Sequence, residues 1–183
     1  MITLQAVQEK DRELLWNINQ KYLYEMTNFY RFLIFIRKSR TVQDHPPALP
    51  EGVPQNAGFL RAFPILHAGS HDDPMDENGN YHYGHFDEYF TDPRRTAYFI
   101  YNDDALIGFA FLCPYSNIGQ EPDYTMAEFT IFPAYRRKHY ALDAARMILT
   151  DHPGKWEIKH LNEEETVLVF EVGEQLWYLR QKG

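Results

Sequence analysis

The spacing of apolar positions changes several times along the chain, and each change predicts a boundary. Residues 2–7 alternate loosely, as an edge strand does. Leu15, Ile18, Tyr22 and Met26 then recur at helical spacing among charged neighbours and predict a helix over about Gln8–Asn28. The short apolar run Arg31–Lys38 fits either helix or strand. From Val42 to Gly79 the pattern dissolves: Pro46, Pro47, Pro50, Pro54, Pro64 and Pro74 fall among Gly, Asp, His and Asn. Proline at that density removes backbone donors and breaks regular elements, which predicts a Pro-rich loop at about 40–79. It reads as a functional loop, an insertion or a mobile segment, closed by the turn pair Asn78-Gly79.

Phe86, Tyr89 and Phe90, spaced i, i+3, i+4, predict a short helix ending before Pro93. Thr96–Tyr101 and Leu106–Leu112 are β-branched and aromatic runs joined by Asn102-Asp103-Asp104, a hairpin. Gly108 inside the second run marks a bulge or a close backbone approach. Tyr124–Phe132 is a third strand, stopped by Pro133. Ala141, Ala144, Ala145, Ile148 and Leu149 then form the apolar stripe of a helix over about 135–150. Asp151-His152-Pro153-Gly154 ends that helix, and Trp156–Leu161 reads as the next strand. A strand, helix, strand order needs a crossover, so the strands at 124–132 and 156–161 are expected to run parallel. In the tail, Thr166–Val172 and Gln175–Gln181 favour a hairpin over a helix because Val, Phe, Trp and Tyr dominate. The expected fold is α/β (α+β): a mixed, largely antiparallel twisted sheet with one parallel pair, flanked by helices.

At 183 residues, 44% of them hydrophobic, the chain has apolar surface enough for one domain with a sizeable core. The net charge of −8 disfavours a general nucleic-acid binder, which needs clustered Lys and Arg, and weakly favours a cationic or amine-bearing substrate. Cys113 stands alone, so neither an internal disulfide nor a cysteine metal cage is expected, and a cytoplasmic setting follows by default. Met1-Ile2-Thr3-Leu4-Gln5 carries no basic leader before a long apolar run. Phe32–Ile36, the longest dense apolar stretch, is too short to span a bilayer. The expectation is a soluble protein with no membrane partner.

Chemistry concentrates in Met126-Ala127-Glu128-Phe129-Thr130-Ile131-Phe132-Pro133-Ala134-Tyr135-Arg136-Arg137-Lys138-His139-Tyr140-Ala141. A strand runs into a basic turn that opens a helix, so free backbone N–H groups and the positive helix end converge beside three cations. A pyrophosphate would gain hydrogen bonds and charge complementarity there. The alternative for Arg136, Arg137 and Lys138 is a solvated helix start, but cations at a helix N-terminus are unfavourable without an anion, which favours phosphate binding.

This segment resembles the pyrophosphate loop of the GNAT superfamily of N-acyltransferases: Arg or Gln, two residues, Gly, one residue, then Gly or Ala. Arg136 and Ala141 match its ends, and His139 stands where the family has its middle Gly. The order of elements over residues 1–30 and 80–162 is also similar to that family's core. Pro153-Gly154-Lys155-Trp156-Glu157-Ile158 looks like the run before its fifth strand. By the same comparison, residues 31–72 look like an insertion and the tail looks short.

The resemblance implies an acetyltransferase that moves an acetyl group from acetyl-CoA to an amine by direct attack. It implies acetyl-CoA contacts from the backbone at Ile131 and Phe132, from the loop Arg136, Arg137, Lys138, His139, Tyr140 and Ala141, and from Asn162. Asn162 alternatively caps a turn. A backbone donor near the thioester would stabilise the tetrahedral oxyanion. Glu128 is the candidate general base, directly or through water; its bland alternative is a strand carboxylate paired with a basic side chain. The family often protonates the leaving thiolate with a Tyr that has no match near Val169 and Phe170, so the general acid stays unassigned and the role is not given to Tyr178. A non-catalytic CoA-binding or protein-binding module with the same fold is the alternative, and a scaffold that oligomerises through its hairpin and loop is a third.

Other clusters are less specific. His67 with His71, His82 with His85, and nearby Asp72, Asp73 and Asp76 match no metal motif, and no metal is expected. Tyr81, Tyr83, Phe86 and Tyr89 either line an acceptor pocket or pack as core. An exposed strand at 175–181 would leave an open edge, which predicts cover by the inserted loop or by a second subunit in a homodimer.

Overall fold

The computed structural model describes residues 1–39, 75–116, 119, 121–159 and 167–172. Among the described residues six strands form one mixed sheet in the order β1 (Ile2–Ala6), β2 (Thr96–Asn102), β3 (Ala105–Cys113), β4 (Tyr124–Ile131), β5 (Gly154–Lys159) and β6 (Val167–Val172). All neighbouring pairs are antiparallel except β4 and β5, which run parallel as the crossover requires. Helix α1 (Arg12–Ser39), the short α2 (Glu88–Thr91) and α3 (Tyr140–Asp151) complete the α+β architecture.

A tight turn at Glu9–Asp11, in which the Gln8 N–H donates to Asp11 Oδ2 at 3.1 Å, leads into α1. With neither Pro nor Gly from Arg12 to Ser39, nothing interrupts it. The ambiguous run Arg31–Lys38 is therefore helix, and residues 31–39 continue α1. Residues 40–74 lie outside the described residues. The turn at Asn78-Gly79 is present, with Gly79 at φ 79° and the Asp76 carboxylate accepting the N–H groups of Asn78 and Asn80 at 2.9 and 2.8 Å.

The core divides by sheet face. On one side Leu15, Ile18, Tyr22, Leu23 and Met26 of α1 pack with Phe86 and Tyr89 onto Phe99, Phe109 and Phe111. On the other, Ala144, Ala145, Ile148 and Leu149 of α3 pack onto Ile100, Ile107, Leu112, Phe129 and Ile131, with Trp156 beneath. Strand alternation produces this split: in β3, Phe109 and Phe111 face α1 while Ala110 and Leu112 face α3. Each fully buried Phe or Leu contributes about 1.5–3 kcal/mol relative to exposure. The face under α1 is aromatic, with Tyr89 stacked on Phe111 at 4.2 Å and Trp16 edge-on to Phe86 at 4.9 Å.

Two irregularities shape β3 and β4. Between Ile100/Tyr101 and Gly108/Leu106 the register shifts, leaving Ile107 as an extra residue. Beside it, a Cβ at Gly108 would sit 2.1 Å from the Thr130 carbonyl oxygen, so the close approach expected there is real and only glycine permits it. In β4, Phe111 pairs with Glu128 but Leu112 with Met126, which makes Ala127 a bulge. Past the bulge, Glu128, Thr130 and Phe132 turn to the α1 face, and Phe129 and Ile131 to the α3 face.

The helix expected over 135–150 begins later, at Tyr140. Pro133–Tyr135 forms a 3-10 turn, and Arg137 and His139 have φ of 65° and 63°, values a right-handed helix cannot contain. His152 and Pro153 stop α3 at Asp151, and the Trp156 indole N–H caps it by donating to the His152 carbonyl at 2.8 Å. Strand β5 starts at Gly154, ahead of the expected Trp156. In the tail, β6 is the first arm of the predicted hairpin; the second arm, 175–181, lies outside the described residues.

Candidate functional site

Strands β4 and β5 are fastened at one end, and among the described residues their pairing covers only the first part of β4. Asp123 holds the closed end: its N–H donates to the Lys155 carbonyl at 2.9 Å, and its carboxylate accepts the Lys155 N–H at 2.7 Å. Pairing then runs Tyr124 to Trp156, Thr125 to Glu157 and Met126 to Ile158, and stops. Strand β4 continues for five more residues, Ala127–Ile131, with no β5 partner among the described residues.

The turn from Phe132 to Ala141 sits at the far end of that open stretch. Phe132 commits its N–H to the Ile107 carbonyl at 2.8 Å, which leaves its carbonyl as the backbone group for a ligand contact. Strand alternation turns the Ile131 N–H the other way, toward the β5 side of β4. After the 3-10 turn, Lys138 at negative φ lies between two left-handed residues, Arg137 and His139. Alternating signs of φ curl successive N–H groups toward one concave side. The N–H groups of Lys138, His139, Tyr140 and Ala141 find no backbone acceptor among the described residues, while His139 O accepts from Leu142 and Asp143 as α3 begins. His139 adopts φ 63°, a conformation that costs a residue with a Cβ about 1–2 kcal/mol, so the glycine of the compared loop has a backbone reason.

The basic residues divide. Arg136 turns away from the helix end: its Nε donates to the Ile131 carbonyl at 2.7 Å, and its two Nη atoms reach the Glu25 carboxylate of α1 at 2.5 and 2.8 Å. The Lys138 ammonium lies 6.0 Å from the Tyr135 ring centroid, and both Arg137 and Lys138 are exposed. Glu25 and Arg136 thus join α1 to the turn across 111 residues of sequence, a pairing that no periodicity reveals.

Glu128 lies on the α1 face, 1% exposed. Among the described residues it is paired with no basic side chain. The Tyr22 hydroxyl donates to its Oε2 at 2.8 Å, and Tyr83 donates to the same carboxyl. Burial pushes the Glu128 carboxyl up to about 8, against the downward pull of the two phenols. Burial first, and the Glu128 charge second, push the Tyr83 phenol well above its ordinary range. Tyr22 belongs to the apolar stripe that predicted α1. A buried tyrosine must find a partner for its hydroxyl, and that demand was the available signal. Tyr83 serves Glu128, whereas Phe86 and Tyr89 are core and Tyr81 meets Gln20, its N–H donating to Gln20 Oε1 at 2.6 Å.

Beside Tyr22 a groove of about 440 Å³ opens between α1 and the end of β4, walled by Ile18, Tyr22, Glu25, Thr130 and Phe132. Tyr22 therefore touches both the groove and the buried carboxyl.

Several expected residues stand elsewhere. Asn162, Tyr178, His67 and His71 lie outside the described residues. His85 bonds Glu88 at 2.8 Å, and no three His, Cys, Asp or Glu side chains gather around a metal-sized space among the described residues. The Cys113 thiol is buried and pushed up by that burial. No described helix is long and apolar enough to cross a membrane. No family model, curated protein or solved structure matches the chain.

Proposed function

We propose that the chain is an N-acetyltransferase of GNAT type that moves an acetyl group from acetyl-CoA to an amine. The observation that carries this reading is the coincidence of two features at one end of β4. Beyond Met126 the strand has no β5 partner among the described residues, and a turn whose Lys138–Ala141 N–H groups meet no backbone acceptor among them opens α3 at the end of that stretch. A pyrophosphate at the turn would take up those N–H groups and the positive end of α3, and Lys138 and Arg137 would complement its charge. An extended arm leaving it along β4 would lie against the unpaired backbone, with the Ile131 N–H facing the gap.

Direct transfer joins the amine nitrogen to the thioester carbonyl carbon and releases CoA thiolate as the C–S bond breaks. The attacking nitrogen sheds a proton, and Glu128 is its destination. A carboxyl at about 8 accepts that proton far more readily than an ordinary glutamate, because a general base works best near the operating pH. The reading carries with it a small-molecule or peptide amine as acceptor, a cytoplasmic homodimer, and no metal.

Isothermal titration with acetyl-CoA tests it. Saturable 1:1 binding by folded protein, weakened in Lys138→Ala, is the expected result. No heat of binding from a protein with an intact unfolding transition would overturn it.

One observation favours a second reading, a CoA-binding module without turnover: His139 puts a Cβ and an imidazole at a left-handed position of the turn, where glycine lets a backbone approach a phosphate closely. That reading expects acetyl-CoA binding with no release of free CoA across an amine panel, and one saturating substrate would exclude it.

A further inference from the structure

Glu128 is too deeply buried to touch an amine in the groove, and one side chain bridges the distance. Tyr22 lines the groove and donates its hydroxyl to Glu128 Oε2 at 2.8 Å. We propose that Tyr22 is the proton conduit of this site, handing to Glu128 the proton that an ammonium or amine in the groove gives up. In the step, one N–H bond of the ammonium breaks and its proton joins Tyr22 Oη, while the Oη–H bond breaks and that proton joins ionised Glu128. Tyr22 ends neutral as it began, Glu128 ends as a carboxylic acid, and the nitrogen keeps its lone pair for attack. Tyr22 is then the group that meets the amine, and Glu128 is the sink behind it.

The surroundings suit this direction of transfer. Among the described residues the titratable groups acting with Glu128 are Tyr22 from α1, Tyr83 and Tyr89 from the segment around α2, and Cys113 from β3. Arg95 acts on Tyr89 and Cys113, and burial is what holds the Glu128 carboxyl high. An alkylammonium lies near 10.4, so the climb to Glu128 is about 2 units where an ordinary glutamate would leave about 6. Tyr83 also bonds Glu128 but does not line the groove, which makes it the natural comparison.

The identity of the amine rests on the acetyltransferase reading; the conduit itself does not, and its test uses no acetyl-CoA. The carboxylic C=O stretch of Glu128, assigned by its loss in Glu128→Gln, is followed by infrared spectroscopy after a pH jump across about 8. The probe is buffer alone. Tyr22→Phe is expected to slow proton exchange at least about tenfold, in the range that positioned acid–base groups supply. Tyr83→Phe is expected to leave the rate within about threefold of the unmodified protein while shifting the midpoint. Lys21→Trp, an exposed substitution on the groove wall that leaves Tyr22 intact, is expected to slow exchange by covering the mouth. The proposal is overturned if Tyr22→Phe exchanges as fast as the unmodified protein, if Tyr83→Phe slows it equally, or, should Tyr22→Phe fail to fold, if Lys21→Trp leaves the rate unchanged.

Discussion

The Arg136 guanidinium grips both oxygens of Glu25, at 2.5 and 2.8 Å, and so ties the turn before α3 to the first helix. Both side chains are about 40% exposed, so solvent screens the bridge and its worth is about 1 kcal/mol or less. A doubly charged pyrophosphate competes with a single carboxylate on favourable terms. Glu25→Gln should therefore leave stability within about 1 kcal/mol and tighten acetyl-CoA binding several-fold. Calorimetric titration of the variant checks this, and an unchanged Kd would mean that Arg136 does not serve the anion.

His139 offers a backbone test of the same turn. At φ 63° a glycine avoids the Cβ clash, so His139→Gly should raise unfolding free energy by about 0.5–1 kcal/mol. Arg137→Gly, at φ 65°, removes similar strain but also a cation. The first variant should bind acetyl-CoA more tightly and the second more weakly, measured by urea unfolding and calorimetry together.

For Glu128 the sign of the pH effect follows from its raised carboxyl. The folded state holds the proton up to about 8, while the unfolded chain releases it near 4.5, so the folded state binds more protons between those values. Stability must fall as pH rises through that window and level off above it. Glu128→Gln, which mimics the neutral acid, removes the fall. Urea unfolding at about pH 5.5 and about pH 9 should show a loss of a few kcal/mol in the unmodified protein that the variant lacks. Equal losses in both would place the proton elsewhere.

Gly108→Ala puts a methyl group 2.1 Å from the Thr130 carbonyl oxygen, against backbone that cannot swing aside. The β3–β4 ladder must then separate locally, and a loss of about 3 kcal/mol or more is expected, within the upper range of overpacking. Thermal unfolding reads it directly. An alanine tolerated without loss would show that β3 and β4 shift freely at this point.

What could be read from the sequence was whatever repeats locally. The apolar stripe Leu15, Ile18, Tyr22 gave α1, Ala144, Ala145, Ile148 gave α3, and the crossover rule gave the parallel β4–β5 pair. The turn pair Asn78-Gly79 and the close approach at Gly108 were legible because glycine has few other uses there. The start of α3 was placed early because nothing in Arg136-Arg137-Lys138-His139 announces left-handed backbone in residues that usually avoid it. The run Arg31–Lys38 was ambiguous because apolar residues on most positions erase both periods. At the site, Glu128 was identified and its partners were not. Tyr22 and Glu25 lie more than 100 residues from Glu128 and Arg136, and a tyrosine in an apolar stripe looks like core until its hydroxyl is accounted for.

The early end of the β4–β5 ladder has one more effect. Exposed backbone on the rim of a sheet is open to any passing strand, including a second copy of the same chain. Along Ala127–Ile131, by contrast, β4 lies inside the sheet order, with β3 on one side and no β5 partner among the described residues on the other. Backbone groups so placed pair with an extended segment and not with a globular surface.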